Sequence, residues 1–361
     1  MNIVHVITTI SRGGAEKQLL ILCREQIKMG HKVKVIPLKG APELQSDFIE
    51  SGIEVSLDVN HFHFIKQVYF LRKRYRNSTS IIHAHLPRAE LICRLINPLY
   101  FIITRHNSEP FFPKYPGLLS MILSRFVMIK VKSCIAISAS VKTFLLKSRE
   151  VKSENDIIII HYGFDPGLNP EIVDRNLNSH KGLKFRIGSI GRLVEQKNYE
   201  TALKSLLLLK KTGFDFEYTV IGQGPLEHKL KIMARTLGLA SNINWIRSTS
   251  DVSSYLRAWD CFLFPSIYEG FGLVLLEALS FHLPIVATNI SAMPEVLGLD
   301  YPLLCKLRDP EDFSNKLKLV ASNSKEANTA IAKSDEILRN FTSEKMANDL
   351  NQVYLRILED K

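Results

Sequence analysis

Short, nearly continuous Val/Ile/Leu runs alternate along this chain with longer segments in which apolar residues recur at helical spacing. In the first half the runs fall at 2–8, 32–37, 80–85, 100–104, 134–138 and 157–160. The second half repeats the rhythm at 185–191, 216–222, 243–246, 261–264 and 284–288. Continuous apolar runs mark strands buried on both faces, whereas a half-buried strand would alternate. Strands of this kind separated by helical patterns predict parallel sheets covered by helices on each side, an α/β architecture. Between the halves, 161–184 carries Gly163, Pro166, Gly167, Pro170 and Gly182 without periodicity and reads as a linker. At the end, Met346, Leu350, Val353 and Ile357 fall on one face of a terminal amphipathic helix that needs a partner to pack on.

The length of 361 residues exceeds what one core usually supports, so two domains are expected. Five cysteines, Cys23, Cys93, Cys134, Cys261 and Cys305, are odd in number and widely spaced, which excludes a disulfide framework and a zinc ribbon. They read as buried thiols. The N-terminal residues show neither a basic n-region nor an apolar h-region, so no signal peptide is expected. No apolar stretch is long enough for a transmembrane helix, and a cytoplasmic protein is expected. Net charge is +11 and lopsided: residues 1–180 hold 24 Lys+Arg against 15 Asp+Glu, and the remainder 23 against 21. A basic first half suits nucleic acid, an anionic membrane surface or phosphorylated small molecules.

In parallel α/β sheets ligands bind where strands end and helices begin. The first strand ends before Gly13-Gly14-Ala15-Glu16 and a helix. Paired glycines there admit a ligand to backbone amides that, with the helix dipole, attract anionic oxygen; the alternative is a plain tight turn. Neither this pair nor Gly222-Gln223-Gly224 has dinucleotide-fingerprint spacing, and no Walker lysine follows. His83 and His85 close one strand and His106 follows another, without the partners of a zinc site. Beyond strand 185–191, Arg192 offers a planar fork and Lys197 a compact cation. Together they suit a diphosphate, the alternative being two solvated cations.

The most specific stretch is 264–278, where a strand runs into a loop with Glu269, Gly270 and Gly272 and then into a helix starting near Phe271 and carrying Glu277. Eight residues separate the two carboxylates, at most about 12 Å if wholly helical. That is wide for a glycosidase pair at about 5 to 9.5 Å and better suits gripping one elongated ligand at two points. Amides at Gly270 and Gly272 add anion capture.

With these residues in order along essentially the whole chain, the sequence resembles the GT4-type retaining glycosyltransferases of GT-B fold, the bacterial polysaccharide and lipopolysaccharide group 1 enzymes. The resemblance implies two facing Rossmann-like, doubly wound parallel-sheet domains. An acceptor-side domain would span 1–165, with a C-terminal helix at 343–361 packing back on it, and a nucleotide-sugar domain 166–342. It implies donor contacts from Gly13, Gly14, Arg192, Lys197, Gly222, Glu269, Gly270, Phe271, Gly272, Leu273 and Glu277. Arg192 and Lys197 would hold the diphosphate, Glu269 and the 271–273 backbone the sugar, Glu277 the ribose, and His106 would lie by the reacting centre. His106, Glu269, Arg192 and Lys197 are the implied catalytic set. No D-x-D sequence is present, and side-chain cations in place of a metal imply no cofactor.

The expected reaction moves a hexose or N-acetylhexosamine from a UDP donor to a hydroxyl of a lipid-linked saccharide acceptor, with retention. A nucleotide-sugar epimerase or hydrolase of the same architecture is the alternative. A non-enzymatic basic lipid- or nucleic-acid-binding protein is a further one, but no nucleic-acid-binding signature appears. An anionic membrane surface is an expected partner, at the inner face of the plasma membrane. The apolar 118–132 segment edged by Arg125, Lys130 and Lys132, and the cluster Arg72, Lys73, Arg74 and Arg76, carry that expectation. Otherwise Leu119, Ile122, Leu123 and Phe126 are simply the inward face of a core helix.

Overall fold

A computed structural model describes residues 1–113, 115–165, 184–249 and 251–359. The chain divides into two compact units, one of Met1–Asp165 with Phe341–Lys361 and one of Pro166–Asn340. Of the segment read as a linker, residues 166–183 lie outside the described residues.

The first unit is built on β1 (Asn2–Ile7), β2 (Lys32–Pro37), β3 (Glu54–Val55), β4 (Ile81–His85), β5 (Tyr100–Arg105), β6 (Ser133–Ala136) and β7 (Ile157–Ile159). They form one parallel sheet in the order β3-β2-β1-β4-β5-β6-β7. The second unit has β8 (Phe185–Ile190), β9 (Phe216–Ile221), β10 (Ile243–Ile246), β11 (Cys261–Phe264), β12 (Ile285–Thr288) and β13 (Leu304–Cys305). Its parallel sheet runs β10-β9-β8-β11-β12-β13. Both are Rossmann-like, and in each the strand order reverses beside the first strand, between β1 and β4 and between β8 and β11. Strands β4 and β11 are buried at every residue, as continuous apolar runs require.

Differences from the sequence expectation have local causes. The edge strands β3 and β13 are two residues each, too short to leave a periodic signal. The strand expected at 134–138 stops at Ala136, because Ser138 turns to cap the helix Ala139–Lys147, its hydroxyl accepting from the Val141 amide at 3.0 Å. The core-face reading of Leu119, Ile122, Leu123 and Phe126 fails at the first two and holds only in part at Leu123 and Phe126, which are half-buried. In the helix Gly117–Met128 the residues turned inward are Ser120, Ser124 and Val127, while Leu118, Leu119 and Ile122 are exposed. Ser120 bonds the backbone of Phe112, and Ser124 takes a hydrogen bond from Arg105 at 2.9 Å, so the hydroxyls point inward because their partners are there. All five cysteines are buried free thiols. Among the described residues no helix is long and apolar enough to cross a membrane.

The helix Ser343–Glu359 packs against the helix Gly14–Lys28, burying Met346, Leu350, Val353 and Ile357. It also reaches a polar core. His5 pairs in register with His83, and His83 and His85 alternate onto one sheet face, so three imidazoles cluster at full burial. His83 contacts the Tyr354 hydroxyl through Nδ1 and the Thr104 hydroxyl through Nε2, each at 2.7 Å. His5 bonds His85 at 3.0 Å and Gln26 at 2.8 Å. A buried ion cluster lies nearby, where Arg105 meets Glu90 and Glu150 at 3.0 Å each.

Burial holds these imidazoles neutral, lowering His5 to about 4 and His83 and His85 well below the usual histidine range. Above the ordinary value of 6.5 folded and unfolded chains are both uncharged; below it only the unfolded chain gains protons. Stability is therefore present above pH 6.5 and lost as pH falls toward 4, His5 alone contributing about 3 kcal/mol. Glu90, raised by burial to about 7, works in the opposite sense, one group against several. Urea unfolding of the whole chain between pH 7.5 and 4.5 should show this net loss, and a flat profile would contradict a neutral buried cluster.

Candidate functional site

In the second unit the chemistry gathers at the reversal between β8 and β11. After β8 the chain makes a turn of 3₁₀ helix, Glu195–Lys197, then places Asn198 in the left-handed region at φ 49° before the helix Tyr199–Lys211. Two neighbouring side chains fasten this loop to the one after β11. The Asn198 amide donates to the Pro265 carbonyl at 3.1 Å and the Gln196 amide to the Tyr268 carbonyl at 2.9 Å. The Ile267 N–H answers by donating to the Gln196 carbonyl at 2.8 Å. Held between these bonds, Lys197 Nζ meets Glu269 Oε1 at 2.6 Å. The ammonium also lies 4.8 Å from the Phe264 ring centroid. With both side chains mostly buried, the pair is screened far less than a surface ion pair.

Glu269 is positioned from a third strand end as well. Its N–H donates to the Ser291 hydroxyl at 3.2 Å, and that hydroxyl donates to the Glu269 carbonyl at 2.9 Å. Gly270, Phe271 and Gly272 complete the loop. Phe271 buries its ring, and Gly272 takes φ 89° as N-cap of the helix Leu273–Ser280, a conformation that favours glycine. The helix begins at Leu273, two residues later than the sequence reading, so Glu277 sits about one turn inside it and is half-buried. Arg192 is exposed, with no ion pair among the described residues. Gly222 has a packing reason to be glycine: its Cα abuts the Gly191 carbonyl, and a Cβ has no room there.

The first unit presents its candidates at the ends of β1 and β5. Gly13 caps the helix Gly14–Lys28 without any side-chain hydrogen bond, its own N–H spent on the Ser11 carbonyl at 2.9 Å. Glu16 in the first helical turn accepts from the Thr9 hydroxyl at 2.7 Å. Its carboxylate crowds Gly13, and a negative group at that helix end is favoured by the dipole. His106 follows β5. Its Nε2 contacts His85 Nδ1 at 3.0 Å and its Nδ1 contacts the Tyr162 hydroxyl at 2.5 Å, so both ring nitrogens have protein partners. Burial, with Arg105 adding to it, lowers His106 to about 3. At neutral pH it is an uncharged ring that orients hydrogen bonds and does not store a proton.

Sequence reasoning treated the histidines singly and missed His5, Gln26, Tyr162 and Tyr354. The available signal was His83 and His85 at alternate positions of an otherwise apolar buried strand, which puts two imidazoles side by side on one face. His5, His83 and His85 are close enough to share a metal ion, but all six ring nitrogens are engaged by Gln26, Tyr354, Thr104, His106 and one another. They hold each other.

Two family models match this chain. The model described as Glycosyltransferase Family 4 matches residues 12–168, and that described as Glycosyl transferases group 1 matches residues 173–336. An uncharacterized glycosyltransferase of Haemophilus influenzae is 27% identical over 325 residues, covering 87% of this chain and 88% of that protein. The capsular polysaccharide biosynthesis glycosyltransferase CapM of Staphylococcus aureus is 26% identical over 250 residues, 66% of this chain and 65% of CapM. Among solved structures, Anabaena HepE in complex with UDP-glucose superposes with a TM-score of 0.82 at 15% identity, covering 99% of this chain and 100% of HepE. With both models in chain order over two Rossmann-like units, this chain belongs to the group 1, GT4-type glycosyltransferases of GT-B fold.

Proposed function

We propose that this glycosyltransferase moves a hexose or N-acetylhexosamine from a UDP donor, with retention at the anomeric carbon, to a hydroxyl of a lipid-linked saccharide in surface polysaccharide or lipopolysaccharide synthesis. The observation that carries the reading is the Lys197–Glu269 pair at the strand-order reversal of the second unit, with Arg192 on the same strand end. The UDP-glucose in HepE and the capsular role of CapM support the donor class and the pathway class.

In this reading Arg192 and Lys197 receive the donor diphosphate, Glu269 and the 271–273 backbone hold the sugar, and Glu277 holds the ribose. Gly14 adds a backbone amide with Gly13 keeping the turn open beside it, and His106 stands beside the reacting sugar. The bond from the anomeric carbon to the phosphate oxygen breaks while the acceptor oxygen bonds the same face of that carbon. The acceptor proton passes to the departing phosphate. Charge builds on the diphosphate in the transition state, and two preorganised cations meet it there, so no divalent metal is required. Lys197 is held ready by Glu269, which limits the reorganisation left for the reaction.

The acceptor side of the reading rests on the surface of the first unit. Leu118, Leu119, Ile122 and Ile129 are exposed beside Lys130. On the helix Phe64–Tyr75, Ile65, Tyr69 and Phe70 are exposed as well, and Tyr69 shares a surface hollow with Arg72, Lys73, Arg74 and Arg76. Apolar side chains edged by cations suit the interface of an anionic bilayer at the cytoplasmic face of the membrane, each cation worth about 1 kcal/mol.

Two measurements test these assignments. Steady-state kinetics with UDP-sugars, with and without saccharide acceptors, should show transfer exceeding donor hydrolysis and persisting in chelator. Lys197→Ala and Arg192→Ala should each cost about 2 to 4 kcal/mol in kcat/KM. Glu277→Gln should weaken donor binding, and Glu269→Ala should mainly lower kcat. Chelator inactivation reversed by manganese, or equal small effects at both glutamates, would contradict the assignment. The second is vesicle flotation: the chain should float with anionic but not neutral vesicles, less so at high salt and with Lys130→Glu plus Lys132→Glu. Failure to float at low salt would remove the membrane partner.

A further inference from the structure

We infer that Gln26 sets the tautomer of His106 through a chain of two intervening histidines, which makes Gln26, His5 and His85 positioning residues for the ring that the reading above places beside the reacting sugar. Gln26 directs its amide N–H at the Tyr354 hydroxyl, 3.3 Å away, and thereby turns its carbonyl oxygen to His5 Nε2 at 2.8 Å. A carbonyl only accepts, so His5 carries its hydrogen on Nε2. A neutral imidazole has one N–H, which leaves His5 Nδ1 as a lone pair facing His85 Nε2 at 3.0 Å. His85 must therefore donate from Nε2. Its own Nδ1, now an acceptor, faces His106 Nε2 at 3.0 Å, and the same step repeats. His106 ends with Nε2–H turned inward and a bare Nδ1 that accepts the Tyr162 hydroxyl at 2.5 Å.

This chain of tautomers exists only while every ring is neutral. Full burial of His5 and His85 and partial burial of His106 supply that, assisted by mutual repulsion among the imidazoles and by Arg105 beside His106. The neighbouring ring of His83 does not intercept the chain, because its nitrogens are committed to Tyr354 and Thr104. Tyr354 belongs to the C-terminal helix, so that helix, besides packing, orients the amide that starts the chain. The consequence for a ligand is directional: a hydroxyl that replaces Tyr162 at His106 Nδ1 meets a lone pair and has to donate its own proton.

The reverse pattern, with each imidazole proton on the ring's other nitrogen, requires the Gln26 amide to flip and the Tyr354 hydroxyl to donate to its carbonyl. Long-range ¹H–¹⁵N correlation of the histidine-labelled full chain at pH 7 distinguishes the two directly. Wild type should show His106 protonated on Nε2 and bare on Nδ1. Gln26→Met, which removes both amide bonds at similar volume, should give mixed tautomers and lower kcat about tenfold while leaving UDP-glucose affinity within about twofold. Tyr354→Phe should shift the tautomer in the same direction and serves where Gln26→Met does not fold. His106 protonated on Nδ1 in wild type, or a tautomer unmoved by both variants, would overturn the inference. A His106→Ala variant with unchanged kcat would instead overturn the placement of His106 beside the sugar, while the spectroscopic result still decides the chain of tautomers.

Discussion

A parallel sheet buried on both faces gives side chains along its strands no water and little polar company, so charged and flexible groups concentrate where the strands end. The Lys197–Glu269 site of the second unit follows from this. Lys197 and Glu269 are 72 residues apart, yet β8 and β11 are neighbours in the sheet, and their end loops are fastened by Gln196 and Asn198 before the ion pair closes. The pair is thus a product of strand order. The aliphatic stem of Lys197 packs beside Gly191, and its head is confined between Phe264 and Glu269.

The first unit departs from that rule in its interior, and it does so with a residue type suited to the exception. Burying a polar group without a partner costs several kcal/mol, but a neutral imidazole has one donor and one acceptor and can be matched completely. His5, His83 and His85 are matched by each other and by Gln26, Thr104, Tyr354 and His106. Satisfied networks in a low-dielectric interior are rigid and specify a single arrangement. The Arg105 cluster meets the same demand only in part: its guanidinium lies 3.0 Å from Glu90 and from Glu150, and burial raises the Glu90 carboxyl to about 7.

The helix Gly117–Met128 shows the converse. Leu118, Leu119 and Ile122 face outward while Ser120 and Ser124 are buried beside Val127, an arrangement that hydrophobic burial alone would not select. Ser120 and Ser124 are drawn in by the Phe112 backbone and by Arg105. The exposed Leu118, Leu119 and Ile122 are what remains on the other side, beside a basic surface.

By itself the sequence determined the parallel α/β architecture, most strand positions, the glycine-bearing loops and the residues at strand ends, because these follow from local periodicity and from turn chemistry read within a few positions. The order Gly13-Gly14, His106, Arg192, Lys197, Glu269 and Glu277 was legible for the same reason, and so was the family it resembles. What only the tertiary structure decided depends on contacts between distant segments. Lys197 closing on Glu269, Tyr354 reaching Gln26 and His83 across more than 270 residues of chain, and the serine face of the helix Gly117–Met128 all fall in this class. Such contacts are set by which strands are neighbours and which polar groups need partners once buried, and neither requirement leaves a periodic trace along the chain.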